Sequence, residues 1–373
     1  MTVGQDVASR STSSIVDYEI HGLAGVRLIG PSSRDVLTVS GQIGPVGLLS
    51  AEPDITIRFV ENVRPEGLVN WIEPNSIGFS DDGLLVYAAN PKDGPVGCLF
   101  RDGDGPWELQ CRSGQGTVPL LLPLVDLVLS TKGVFALHAS AFTYNASGVV
   151  VAGLARSGKT SSLLAFMARG AAYISDDRVY LRAGDNRLYG LPQPIALRAT
   201  HLSGLPRYAQ MLGRFGRSRL RMAATLERTA DAAAQIGRFS DLARRVSAVA
   251  SDASVSVSPE RLFGECPFQG RLDKAFLAIA HGGPDVRVEP VEPRHLAERL
   301  LFSIRAERLP LWRLYYAFRY AFPDQAKAFG EEAEEAETER LARAFEDTET
   351  YALYHPFPAP VQAIHDALAP VLG

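Results

Sequence analysis

Gly153-Leu-Ala-Arg-Ser-Gly158-Lys159-Thr160 sets two glycines, a lysine and a hydroxyl at the spacing of a phosphate-binding loop. Each residue type has its own use in such a loop. Glycines let the backbone curl until its N–H groups converge on an anion. Lys159 can reach the outer phosphates of a nucleotide as a point charge, and the Thr160 hydroxyl can hold Mg2+. The expected nucleotide contacts are therefore Gly153, Leu154, Ala155, Arg156, Ser157, Gly158, Lys159, Thr160 and Ser161. Further along the chain, Asp176-Asp177 supplies two carboxylates. A phosphate cradle, a metal-holding hydroxyl and a carboxylate that takes a proton are what phosphoryl transfer to a hydroxyl needs. The bland alternative for Asp176-Asp177 is a polar pair in a turn at a strand end.

The flanking residues say what must position these groups. Val149-Val-Val-Ala152 reads as a buried strand. Leu163, Leu164 and Met167 fall at helical spacing on an amphipathic segment, with Gly170 as its stop. A second apolar run then ends in the two aspartates. Strand, loop, helix and strand imply an α/β sheet, with the carboxylates at the carboxyl edge where ligands of such sheets bind. Neighbouring strand residues point to opposite faces, so one aspartate is expected toward the metal and the other toward the acceptor. Their like charges would help to raise one pKa.

Four segments are expected along the chain. Residues 1–16 are Ser/Thr-rich with few apolar anchors and read as an unstructured tail. Residues 17–116 read as a β-rich module, with Val26–Ile29, Val36–Val39, Ile55–Phe59, Gly83–Tyr87, Val96–Phe100 and Trp107–Cys111 as strands. Asp93-Gly94 and Asp102–Gly105 are its expected hairpin turns. Residues 117–285 hold the loop, beginning with a helix near Pro123, then Val134–Phe142 and a turn at Asn145–Gly148. Leu188–Leu197 is expected as a strand pair, 224–249 as Ala-rich helix and Leu272–Ala280 as a returning strand. Arg207, Arg214, Arg217, Arg219 and Arg221 form either a solvated basic face or a loop that closes over phosphates, and Arg198 is a further candidate for that role. Residues 286–373 are expected as a helical module.

The 373 residues are 46% hydrophobic and 21% charged, a globular balance. A net charge of −4 leaves no footprint for nonspecific nucleic-acid binding. No apolar run reaches bilayer length, and the start of the chain lacks a signal-peptide core. Cys98, Cys111 and Cys266 make neither a disulfide framework nor a metal spacing, which points to the reducing cytoplasm. No membrane or nucleic-acid partner is expected, and homo-oligomerisation stays open.

Several of these stretches together resemble a known family. They are Leu137-His138 with its following turn, the loop, Met167-Ala-Arg-Gly170, Ser175-Asp-Asp-Arg-Val179 and Pro192-Gln-Pro-Ile-Ala-Leu-Arg198. The pattern is similar to the catalytic half of the HPr kinase/phosphorylase family, and closer still to related kinases that tailor peptides in lasso-peptide pathways. The likeness covers residues 134–200, extends faintly over 255–280 and reaches neither terminal module. It implies a carboxykinase-type P-loop kinase domain with ATP as donor and Mg2+ as cofactor. It implies Lys159 on phosphate, Thr160 and Asp176 on the metal, Asp177 as general base and His138 beside it. On residue type alone His138 is equally a satisfied core histidine. Ala155 and Arg156 depart from the family loop, which has Ser and Gly there, and 198–204 hold no counterpart of the family's downstream metal-binding Glu. The expected activity is transfer of the γ-phosphate to an aliphatic hydroxyl, a peptide or protein serine first and a small-molecule hydroxyl second. An ATP-binding switch without catalysis is the alternative of a different class.

Overall fold

The computed structural model describes residues 14–63, 69–73, 76–80, 84–87, 96–99, 107–203, 205–234, 240–251, 253–323, 334–358 and 360–373. The chain is mixed α/β and divides into two compact units, 1–128 with 309–329, and 129–308 with 330–373. No helix among the described residues is long and apolar enough to cross a membrane.

In the first unit lie β1 (Ile15–Ile20), β2 (Ala24–Ile29), α1 (Ser33–Ile43), β3 (Ile55–Val60), β4 (Asn70–Glu73), β5 (Ile77–Phe79), β6 (Leu84–Tyr87), β7 (Val96–Leu99) and β8 (Trp107–Arg112). They build one sheet in the order β1-β2-β3-β8-β7-β6-β5-β4, with β2, β3 and β8 parallel. Val36–Val39, expected as a strand, lies inside α1. The Ser32 hydroxyl accepts from the Asp35 amide at 3.3 Å while the Asp35 carboxylate accepts from the Ser32 amide at 2.9 Å. This reciprocal cap nucleates a helix and outweighs the β-branched preference of Val36 and Val39. Ile15 and Val16, expected in the tail, belong to β1. Residues 1–13 and the expected turns at Asp93-Gly94 and Asp102–Gly105 lie outside the described residues.

After α2 (Leu121–Thr131) the second unit begins with β9 (Val134–Leu137), β10 (Ala139–Tyr144), β11 (Ser147–Ala152), α3 (Lys159–Met167), β12 (Ala172–Ser175), β13 (Val179–Arg182), β14 (Arg187–Gly190) and β15 (Ile195–Leu197). It continues through α4 (Ala199–Ser203), α5 (Pro206–Met211), α6 (Arg214–Ala234), α7 (Ser240–Ser251), β16 (Val255–Val257), α8 (Pro259–Phe263), β17 (Gln269–Arg271), β18 (Lys274–His281) and β19 (Arg287–Pro290). Helix α9 (Pro293–Ala321) belongs to the second unit up to Arg308 and to the first from Leu309, and α10 (Glu334–Ala344), β20 (Glu349–Pro356) and α11 (Val361–Leu372) follow in the chain. One sheet runs β12-β10-β11-β18-β20-β19 and a second runs β17-β14-β13-β9, with β15 and β16 as a separate ribbon. Strands β11, β18 and β20 are parallel.

The expected turn at Asn145–Gly148 forms and joins β10 and β11 as a hairpin: Tyr144 pairs with Ser147, and Asn145 and Ala146 both take positive φ, 47° and 62°. Residues 286–373 are not purely helical, because β20 pairs along the whole of β18 in the central sheet. The loop-bearing unit therefore draws on both sides of the expected boundary at 285/286. Helix α3 is not amphipathic as expected; Ser161 through Met167 are all buried. Its apolar residues share one core with Phe142 and Val149 from the sheet and Ile364 and Leu368 from α11.

The placement of β11 depends on a close backbone approach at its start. A Cβ on Gly148 would lie 1.5 Å from the Arg271 carbonyl oxygen. The Gly148 amide meanwhile donates to Asp273 at 2.7 Å, and the Asp273 amide to the Gly148 carbonyl at 2.9 Å. Gly148→Ala should cost about 3 kcal/mol of stability by forcing β11 away from the segment leading into β18. Thermal unfolding of the purified variant checks this; an unchanged Tm would show that the two segments are not held this closely.

Candidate active site

Two chain segments pair twice, once in each sheet. In the six-stranded sheet β10 pairs antiparallel with β12, Ala141 opposite Ser175. In the four-stranded sheet β9 pairs antiparallel with β13, Leu137 opposite Val179. The chain changes sheets at His138 on one segment and at Asp176–Arg178 on the other, so these residues face each other across the crossover. His138 Nε2 lies 2.9 Å from Asp177 Oδ1. Asp177 takes a left-handed φ of 68°, inside a turn closed by Arg178 N donating to the Asp176 carbonyl at 2.9 Å. The Ser175 hydroxyl donates to the Arg178 carbonyl at 2.6 Å. The two aspartates thus follow β12 rather than end it. Their different directions come from the left-handed turn, not from strand alternation.

Strand β11 delivers the loop to the same edge. Helix α3 opens at Lys159 after Gly158, whose φ of 89° a side chain would strain, and no side chain caps its amides. A loop that ends on an uncapped helix N-terminus can cradle an anion. Lys159 is buried and its ammonium donates to the carbonyls of Gly153 and Leu154, at 2.9 and 2.8 Å. The Thr160 hydroxyl sits 3.1 and 3.0 Å from the two Asp176 carboxylate oxygens. The Ser140 hydroxyl at the start of β10 donates to the Lys159 carbonyl at 2.8 Å. From the end of β20, buried His355 approaches the Ser157 carbonyl at 2.7 Å through Nε2, which must donate there. The Ser157 hydroxyl is buried with no hydrogen-bond partner among the described residues. Arg156 stands at φ 66°, so this position carries a strain of about 1–2 kcal/mol that a glycine would not.

Environment separates the two carboxyls. Burial, reinforced by the charge of Asp177, pushes Asp176 up to about 6 despite the Thr160 hydrogen bond. The His138 hydrogen bond holds Asp177 below the usual carboxylate range, although its side chain is 75% exposed. Burial also lowers the Lys159 ammonium, and the charges of Asp177 and Asp176 offset part of that shift.

His138, residues Ala155 to Ser161, Asp177 and Arg198 line a single cleft. Its other wall includes Ala223, Ala224 and Glu227 of α6. Arg198 contributes a buried Nε with no partner among the described residues. Its amide donates to His201 Nδ1 at 3.2 Å, and burial pushes that imidazole down to about 4, so it is neutral at pH 7. Arg214, Arg217, Arg219 and Arg221 belong to α6 and are not among the cleft-lining residues. Arg214, Arg219 and Arg221 are exposed, in keeping with a solvated basic face.

The residues expected to bind nucleotide and metal or to act in catalysis thus lie around this loop edge, Gly153 and Leu154 by the Lys159 bonds, Asp176 by Thr160 and the rest by the cleft, whereas Arg207, Arg214, Arg217, Arg219 and Arg221 are not among the cleft-lining residues. Glu307 of α9, His355 and Ser140 were not anticipated, and no local pattern marks them. Thr160 and Asp176 are the pair suited to a hard cation. No cluster of three or more His, Cys, Asp or Glu side chains able to hold a metal occurs among the described residues. Mg2+ commonly takes only one or two protein carboxylates and completes its shell with water and phosphate, so this sparse set fits it. No protein-family model matches the chain, and no curated protein matches it.

The raised carboxyl has a measurable consequence. A folded pKa above the ordinary carboxylate value means that the contribution of Asp176 to stability is fullest below about pH 4 and is lost as pH rises through about 6. Asp176→Asn should therefore stabilise the fold at pH 7 by about 3 kcal/mol and flatten the pH 4–6 slope. Calorimetry in chelator-containing buffer checks this. A variant with the wild-type slope would remove Asp176 as its source.

Proposed function

We propose that this protein is a cytoplasmic, ATP- and Mg2+-dependent kinase that phosphorylates an aliphatic hydroxyl, first of all a serine of a peptide or small protein. One observation carries the reading. Buried Lys159, the Thr160–Asp176 pair and the exposed Asp177 carboxylate meet at one edge around the loop between β11 and α3. The resemblance to HPr-kinase-related enzymes points the same way and supplies the choice of donor and acceptor.

On this reading Lys159 exchanges its two loop carbonyls for phosphate oxygens. Thr160 and Asp176 would hold Mg2+, and Asp176 would bind as the carboxylate. When bound, the cation neutralises charge on the phosphates. Arg198 offers its buried, unpartnered Nε as a further positive group toward the phosphoryl being transferred. Asp177, ionised and tethered to His138, accepts a hydrogen bond from the substrate hydroxyl. The hydroxyl oxygen forms a bond to Pγ as the bond from Pγ to the β,γ-bridging oxygen breaks. ADP departs, and the hydroxyl proton passes to Asp177 and on to water.

Incubation with γ-labelled ATP, Mg2+ and a panel of serine peptides and small alcohols tests this. Asp177→Asn should lower transfer about a hundredfold or more while leaving ATP affinity near wild type. Lys159→Ala should weaken ATP binding itself. ATP binding with no transfer to any acceptor would favour the switch. Full activity in Asp177→Asn would remove the assigned base.

A further inference from the structure

We infer that Glu307 of α9 is a positioning residue for Asp177, acting through His138 and Arg178. The inference rests on the kinase reading above for its catalytic consequence, but its geometry stands without it. His138 Nδ1 lies 3.4 Å from Glu307 Oε1, and its other nitrogen lies 2.9 Å from Asp177. Arg178 Nη2 lies 3.6 Å from the second Glu307 oxygen. One carboxylate therefore reaches both neighbours of Asp177: the imidazole bonded to it and the side chain next to it in the chain.

This matters because Asp177 is weakly held otherwise. Its side chain is largely solvent-exposed and its backbone sits in a left-handed turn. A carboxylate in that setting would sample several rotamers unless its partner were fixed. The imidazole is bracketed: Nε2 hydrogen-bonds an Asp177 oxygen on one side, and a Glu307 oxygen stands 3.4 Å from Nδ1 on the other. Rotating the ring away from Asp177 also breaks its approach to Glu307. Second-layer carboxylates that orient a functional histidine act in this way in many sites. Glu307 is 42% exposed and is spent on His138 and Arg178, which distinguishes its job from that of Asp176 beside Thr160.

The test pairs kinetics with a spectrum that does not depend on turnover. Glu307→Ala should lower kcat about tenfold to a hundredfold with KM for ATP near wild type. The ring nitrogen resonances of His138, assigned by comparison with His138→Gln, should shift in the full-length variant. Glu307→Gln, which keeps an acceptor oxygen, should recover part of both effects, and it replaces Glu307→Ala should that variant fail to fold. Wild-type ring resonances in the Glu307 variants would overturn the inference, whether or not turnover falls. If the wild-type protein transfers phosphate to nothing, the kinase reading fails, and the resonances alone still decide whether Glu307 holds the imidazole.

Discussion

The pairing of β9 with β13 and of β10 with β12 is the constraint on which the site depends. The same two stretches of chain meet in two different sheets, and both must cross between the sheets at one level. His138 and Asp176–Arg178 are the crossing residues. Strand side chains alternate, so a slip of one residue in either ladder would turn a whole face inside out and part the imidazole from the carboxylate. Strand β12 runs antiparallel to β10, as β11 does, so β11 and β12 end at the same edge. Strands β18 and β20, parallel to β11, end there too. The loop, the two aspartates and His355 therefore share an edge by topology before any side chain is chosen.

Side-chain electrostatics then separate groups that the backbone brings together. Asp176 and Asp177 are adjacent in the chain and opposite in behaviour. Burial dominates the first and raises it to about 6; a hydrogen bond from His138 dominates the second and lowers it. Buried Lys159 lies between these influences, depressed by desolvation and partly restored by both acids. Lys159 and each acid reduce the cost of each other's charge, while the two acids repel one another, so Asp176 bears the cost of both burial and its neighbour.

Features encoded within one turn or one element were legible in the sequence. The loop spacing, the strand before it and the Asn145-Ala146 turn all rest on local chemistry, and all three form as strand, loop, helix and turn. The cap of α1 was also local, but the β-branched Val36 and Val39 hid it, although Ser32-x-x-Asp35 stood in plain view. Strand β20 was illegible for a different reason. Its partner β18 is remote in the chain, its helical neighbours suggested continuity, and its residues lack clean alternation because both faces are largely buried. Glu307 and His355 reach the site only through that long-range packing. Their residue types alone, one charge on a charged helix and one histidine in an apolar strand, carry no signal.

A carboxylate held below its ordinary range is a weak base, which at first sight argues against Asp177 as the proton acceptor. The argument loses force for phosphoryl transfer. Its transition state is loose, the bond to the incoming oxygen is barely formed, and catalysis is mostly positioning and charge stabilisation. A group in this role contributes by aiming the hydroxyl early and receiving the proton late. Basicity alone would nominate Asp176, whose carboxyl is the higher of the two, yet Asp176 is buried behind Thr160 while Asp177 lines the cleft. The hydrogen bond from His138 lowers the basicity of Asp177 and fixes its direction. In the proposed kinase the roles of the two acids would therefore follow from access and orientation, and the pKa ordering runs opposite to them.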